Sequence, residues 1–298
     1  MYYALALLSG IMITLMITAN GMLSDHHGLY TSTLIINLMG LVIIAFIVLL
    51  RRDNIFTKRH PWYLYLGGAI SVLTIIYNNV AFSSGISVSA ILALILFGDS
   101  LTGLVVDSNG LFGMTKRPFF KHKIIGLVII LVGIASMLEI DFTSIDPLVI
   151  LAIILSCMAG MNVVISRTVN ARLASLTNVR ISAFYNYVVG SVVAIIVFIM
   201  LGRGEMAVEW VFAPDPYIYL GGAIMMGVVL LNNITAQRIS AFYLTLLVFV
   251  AQIFSGITVD ILITGAFSSR NLIGGVLVAF GLCVNLILDR RKAAEVKN

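Results

Sequence analysis

The string Tyr-Leu-Gly-Gly-Ala-Ile, then seven residues, then Asn-Asn occurs twice in the chain, from Tyr65 to Asn79 and from Tyr219 to Asn233. Both copies lie within long apolar stretches, so the repeat predicts a duplicated membrane protein. Other residues recur in the same order. Gly10, Asn20, Leu23 and Gly40 fall 150 positions before Gly160, Asn170, Leu173 and Gly190. Gly103 and Asp107 fall 153 before Gly256 and Asp260, and Gly126 and Gly133 fall 148 before Gly274 and Gly281. Apolar coincidences are common in such a chain, whereas Asn, Asp and paired Gly matched in one order are not. Loop insertions account for the drifting offset. The two units are expected at 1–143 and 144–298.

Composition decides the solvent. The 298 residues are 60% hydrophobic and 10% charged, against about 25% charged in a soluble domain. No soluble core hides that much apolar surface. The sequence pI of about 9.3 would suggest nucleic acid for a soluble protein. Here the positive charge is expected to report membrane orientation, and no nucleic-acid partner is expected. Cys157 and Cys283 both fall in apolar runs, as packed thiols rather than a disulfide. The first apolar run has no preceding Lys or Arg and is long enough to span, so it is expected as a helix rather than a cleaved leader.

Ten spans are expected, at about 3–23, 29–50, 62–82, 87–106, 121–139, 147–166, 178–201, 216–236, 240–261 and 271–289. All five prolines, Pro61, Pro118, Pro147, Pro214 and Pro216, sit at or just before a span. With the N-terminus in the cytoplasm, 16 of the 18 basic residues fall inside and only Arg203 and Arg270 fall outside. Asp25, Glu139, Asp141, Asp146, Glu205, Glu209 and Asp215 collect outside. The positive-inside rule therefore puts both termini in the cytoplasm. Five spans per unit, an odd number, make the second unit enter the bilayer from the opposite side. Two inverted five-helix repeats in an all-α integral membrane protein are a frequent frame for alternating-access transport.

These residues resemble the drug/metabolite transporter superfamily, and within it the YdcZ-type inner-membrane exporters, often single five-span units. The likeness rests on Gly10 with Asn20 and Leu23, Gly40, Pro61–Trp62 ahead of a Gly-Gly span, and an apolar run ending in Asp107. In the second half it rests on Gly160, Asn170, Leu173, Gly190, Gly221–Gly222, Gln252 and Asp260. The resemblance implies export of a small drug or metabolite across a bacterial inner membrane, with no cofactor. A glutamine eight residues before the aspartate belongs to the pattern; the second half has Gln252, and the first half has Asp99 instead.

Polar residues within spans are the candidate chemistry. Asp99 falls near the middle of the fourth span, where a charged Asp costs roughly 2.5–3.5 kcal/mol on insertion scales. It is either a proton-coupling carboxylate, the counter-ion of a cationic substrate, or a buried Asp held by Asn or Tyr neighbours. Helical spacing puts Asp99, Thr102, Gly103 and Asp107 on one face, and Gln252, Ser255, Gly256 and Asp260 on the matching face. Asp107 and Asp260 are expected as helix-end anchors. Asn78, Asn79, Asn232, Asn233, Asn37 and Asn186 are candidate solute ligands or helix-to-helix glue. Tyr77 and Tyr185 are candidates to line a cavity or stack on a cation. Asn20 and Asn170, one near each mouth, are gate candidates or packing residues. The paired glycines of the fifth and tenth spans are expected to form scaffold or a dimer contact.

Some functions are disfavoured. His26, His27, His60 and His122 are expected on two different sides, so no metal site is expected. A P-loop is absent, and no cluster of Asp, Glu and His marks the spans, as phosphate chemistry would require. The chain is therefore expected to carry a small polar or cationic metabolite or drug, with proton-coupled export through Asp99 as one mode, as monomer or homodimer in the lipid bilayer. A facilitator of neutral metabolites with a structural Asp99 is the alternative; a membrane scaffold or a membrane-embedded enzyme ranks lower.

Overall fold

The computed structural model of the chain describes residues 1–55, 60–109, 123–138, 146–206, 211–236 and 241–295. Among them every regular element is helical. The long helices are α1 (Tyr2–His27), α2 (Leu29–Arg51), α3 (Gly67–Ser83), α4 (Val88–Asn109) and α5 (Lys123–Met137). The second half supplies α6 (Pro147–Leu176), α7 (Val179–Leu201), α8 (Gly221–Ala236), α9 (Ala241–Thr264) and α10 (Ser269–Glu295). Short 3₁₀ turns, Trp62–Tyr65 and Pro216–Leu220, lead into α3 and α8. Among the described residues seven helices are long and apolar enough to cross a membrane: α1, α2, α3 with its 3₁₀ turn, α4, α6, α7 and α9. The apolar parts of α5, α8 and α10 are shorter.

Local sequence fixes several helix ends. Pro147 starts α6, where its missing N–H leaves nothing unbonded, and Asp146 Oδ1 accepts from Leu148 N at 2.8 Å. Asn178 caps α7 through Ile181 N, also at 2.8 Å. The large apolar surface that remains exposed, such as Val42, Phe46, Ile196 and Phe280, is what lipid would cover.

Packing exchanges the halves. α1 lies against α8 and α9, as α6 lies against α3 and α4. α2 meets α8 as α7 meets α3, while α2 pairs with α7, α4 with α9 and α5 with α10. The equivalence reaches single residues. A Cβ on Gly67 would overlap Asn170 Oδ1, and one on Gly221 would overlap Asn20 Oδ1. In the α5–α10 pair, Gly133 packs on the backbone of Gly274 and Gly281 on that of Gly126. These glycines therefore act by letting helices approach closely.

Contacts also sort the helix ends. At one end α1 finishes beside the end of α3, and α2 starts beside the end of α7. The end of α9 meets the start of α4 there as well. This is the acidic end, with Asp25, Asp146, Glu205, Asp215 and Asp260. At the other, basic end, the segment after α2 meets the start of α7 near Arg51, Arg52, Arg172 and Arg180.

Candidate functional site

α4 and α6 lie backbone to backbone because Gly98 and Gly160 face Cys157 and Ile95 across the seam. That closeness brings Asp99 of α4 to Arg167 of α6. Arg167 Nη2 donates to Asp99 Oδ1 at 3.2 Å and to Oδ2 at 3.5 Å. The side chains are 29% and 64% exposed, Arg167 the more open. The carboxylate thus has a basic partner where the sequence offered only Asn and Tyr neighbours. The sequence reading missed Arg167 because it ended the sixth span at residue 166. α6 runs on to Leu176 and carries both Arg167 and Asn170 inside the helix. A signal was present: the 150-residue offset sets Arg167 against Ile17, a charge against an apolar residue.

The corresponding seam between α1 and α9 is different. Ile17 is buried with Val88, Leu92 and Val259. Ser255 Oγ donates to Thr14 Oγ1 at 2.7 Å, and Thr14 Oγ1 reaches the Gln252 carbonyl at 3.2 Å. By the same offsets Ser255 corresponds to Thr102 and Thr14 to Val164. Valine cannot return the hydrogen bond. The Thr102 hydroxyl is accordingly buried without a partner, one turn from Asp99 on the same helix. Symmetry between the halves therefore fails at Asp99, Thr102, Val164 and Arg167 together.

The other candidates are dispersed. Asn79 is 1% exposed; its amide donates to Ser32 Oγ at 3.2 Å, and its Oδ1 is unpaired. Asn78 is half-buried with an unpaired Oδ1. Asn37 is buried and bonds the Thr33 carbonyl at 2.9 Å. Asn186 Oδ1 accepts from Asn170 Nδ2 at 2.9 Å, tying α6 to α7 near the basic end. Asn20 is buried against Gly221, and the half-buried Asn170 lies against Gly67, so both gate candidates sit where helices cross closely. The Tyr185 hydroxyl donates to the Ile55 carbonyl at 2.8 Å, and its ring meets Tyr65 edge-on. Tyr77 is half-buried on α3, and Gln252 is half-buried on α9. Asn232 and Asn233 lie on α8, but their side chains, with those of Asp107 and Tyr243, lie outside the described residues.

Two acidic residues at helix ends act as struts. Asp260 is buried and accepts from Val88 N at 2.6 Å and Ser89 N at 3.1 Å, capping α4 from α9. Glu205, just past α7, caps α2: it accepts from Tyr30 N at 3.1 Å, Thr31 N at 2.7 Å and Thr31 Oγ1 at 2.8 Å. Gly28 at φ +92° lets the chain turn tightly under that carboxylate. At the basic end Asp53, just past α2, holds Arg180 near the start of α7 with both carboxylate oxygens. The guanidinium holds the Asp53 carboxyl below its usual range.

At the acidic end α1 lies on α3, with Gly21 against the Phe82 ring and Asp25 bonded to Ser83, and α1 also touches α4. Among the described residues α6 makes no comparable packing against α8 or α9 at the basic end. A cleft of about 730 Å³ also opens at the acidic end, between the α3–α4 turn, the end of α5 and the α9–α10 turn. The Asp260 carboxylate on its wall is already bonded to α4.

Comparison with known proteins gives a family and a fold. The profile of the family described as "Putative inner membrane exporter, YdcZ" matches the chain twice, over residues 1–136 and 151–284. No curated protein matches. A solved structure described only as "Crystal structure of protein" is 16% identical, covers 96% of this chain and 98% of its own, and superposes with a TM-score of 0.61. At that identity the likeness is one of fold alone.

Proposed function

The chain belongs to the YdcZ family of inner-membrane exporters, a multi-pass protein of that membrane, and from that premise we propose that it is a secondary transporter working by alternating access. All ten long helices span, as two inverted units of residues 1–143 and 144–298, with both termini cytoplasmic. The solute site lies between the units, around Asp99 and Gln252. One observation supports this reading: Ile17 on α1 is shut into its seam with α4 and α9, whereas its counterpart on α6, Arg167, is 64% exposed. A two-fold frame shut at one seam and open at its counterpart is what rocking between two states requires.

The solute is small and polar. Arg167 beside Asp99 removes the argument for a free cation, since the acid already has its counter-ion. That same partner favours the second reading, a carrier of solutes without net charge. Export against protons remains part of the proposal, because protonating Asp99 would break its pair with Arg167.

The test is reciprocal cysteine labelling in a Cys157→Ser, Cys283→Ser background. Proteoliposomes would be probed with an impermeant maleimide, with and without a panel of polar metabolites under a pH gradient. Turnover should raise labelling at Ile17→Cys and lower it at Thr168→Cys. Labelling that moves in the same direction at both positions, or at neither, would rule out alternating access.

A further inference from the structure

We infer that Asp99 and Arg167 form a single charge-neutral binding dipole whose ligand is a zwitterion, a small molecule carrying both an ammonium and a carboxylate group. The inference rests on the transport reading above and adds the substrate class.

Four observations support it. First, the ion pair crosses the two halves, Asp99 from the first and Arg167 from the second, so both halves would contribute to one bound molecule. Second, the pair is loose: one guanidinium nitrogen makes contacts of 3.2 and 3.5 Å, and Arg167 keeps most of its surface open. A pair built for stability alone would use the bidentate fork that Arg and carboxylate readily form, as Arg180 and Asp53 do with two nitrogens and two oxygens at the basic end. Third, the equivalent of Arg167 on α1 is Ile17, which is packed shut against α4 and α9. Arg167 therefore occupies the position that helix closure covers, and here it is exposed. Fourth, the Thr102 hydroxyl one turn from Asp99 is buried and unpaired, a ready polar contact for a ligand.

Charge balance then selects the ligand. Closing the basic end moves the site to a lower dielectric, where net charge is costly. A cation or an anion added to the balanced pair leaves one unit of charge behind. A zwitterion leaves none. Its carboxylate takes the Arg167 guanidinium and its ammonium takes the Asp99 carboxylate, replacing one ion pair with two. Neither helix has to carry an unpaired charge as it moves.

The experiment uses full-length protein in proteoliposomes and three matched labelled probes: a mixture of neutral α-amino acids, the same acids as methyl esters (cations), and as N-acetyl derivatives (anions). The wild type should transport the zwitterions at least about tenfold faster than either singly charged set, the effect of one charge-assisted hydrogen bond. Asp99→Asn should shift preference towards the N-acetyl anions and Arg167→Gln towards the ester cations, each by a similar factor. Gel filtration and far-UV circular dichroism of each variant exclude misfolding. As a second, fold-independent readout, Thr168→Cys in the Cys157→Ser, Cys283→Ser background, with Asp99 and Arg167 intact, should be protected from maleimide by the zwitterion mixture alone. Equal losses for all three probes, or a wild type that prefers either charged set, overturns the zwitterion site. If no probe moves yet Ile17→Cys and Thr168→Cys still respond reciprocally to other metabolites, the zwitterion assignment fails and transport stands. If that reciprocity is absent too, both fail.

Discussion

At the scale of single residues, Asp53 and Glu205 do the same work at opposite ends of the molecule. Each follows the second helix of its half, and each reaches the start of the other half's second helix: Asp53 to Arg180 on α7, Glu205 to Tyr30 and Thr31 on α2. The 150-residue offset pairs Arg180 with Tyr30, so the two contacts are counterparts made with different chemistry. A carboxylate on free N–H groups at a helix start is worth about 1 kcal/mol, and Glu205→Ala should lower the stability of detergent-solubilised protein by that order in a thermal melt. The Asp53 contribution should be pH-dependent. Pairing lowers the folded pKa below the ordinary 3.8, so the stabilisation is complete above that value and fades as pH falls through the lowered one. Melts of wild type and Asp53→Asn should differ at neutral pH and converge at strongly acid pH. A constant gap across that range would contradict the assignment.

At the scale of helices, several crossings depend on small residues and short polar side chains, beside apolar clusters such as that of Ile130, Phe249, Ile253 and Val278. Gly221 receives the Asn20 side chain and Gly67 receives that of Asn170, so each crossing depends on a missing Cβ. Gly221→Ala should reduce folded yield, with a penalty of about 1–3 kcal/mol for the overlap. Adding Asn20→Gly to that variant should recover much of the yield, as read by fluorescence-detected gel filtration. Recovery by Asn20→Gly alone would separate this crossing from general destabilisation. This scale also marks how far the sequence could be followed. The repeat, the glycine crossings and most helix starts were legible, because duplicated glycine and asparagine positions and proline placement act locally. The Asp99–Arg167 pair was not. Sixth-span hydropathy falls off before Arg167, so a helix that continues 10 residues beyond residue 166 looked like a loop. Asn20 and Asn170 were legible as a matched pair, but whether they line a path or fill a crossing depends on the tertiary contact. The Glu205 strut was invisible in sequence, where the residue counted only as a negative charge outside.

For the whole molecule, the prediction concerns which surfaces separate. If the acidic end must open during the cycle, tying α1 to α3 should stop it. Gly21→Cys with Phe82→Cys, in the Cys157→Ser, Cys283→Ser background, places thiols at the packed contact between those helices. Oxidation should abolish uptake by the reconstituted protein, and a reductant should restore it. Uptake that survives the cross-link would mean that this contact is static. Orientation is tested separately: impermeant reagents should label Arg52→Cys and Glu205→Cys from opposite faces of the membrane. Labelling of both from one face would reject the inverted arrangement.

Joining the two units in one chain changes what their sequences are free to become. If the units were identical copies associating as an antiparallel pair, every substitution would arrive twice. The bridge between Asp99 and Arg167 would then be duplicated across the axis, putting two acids and two guanidiniums into one interior. A single polypeptide lets one seam acquire the charged pair while its counterpart keeps glutamine and isoleucine. Fusion thereby lets each half drift on its own account, and the one-sided Asp99–Arg167 bridge is the inheritance of that freedom.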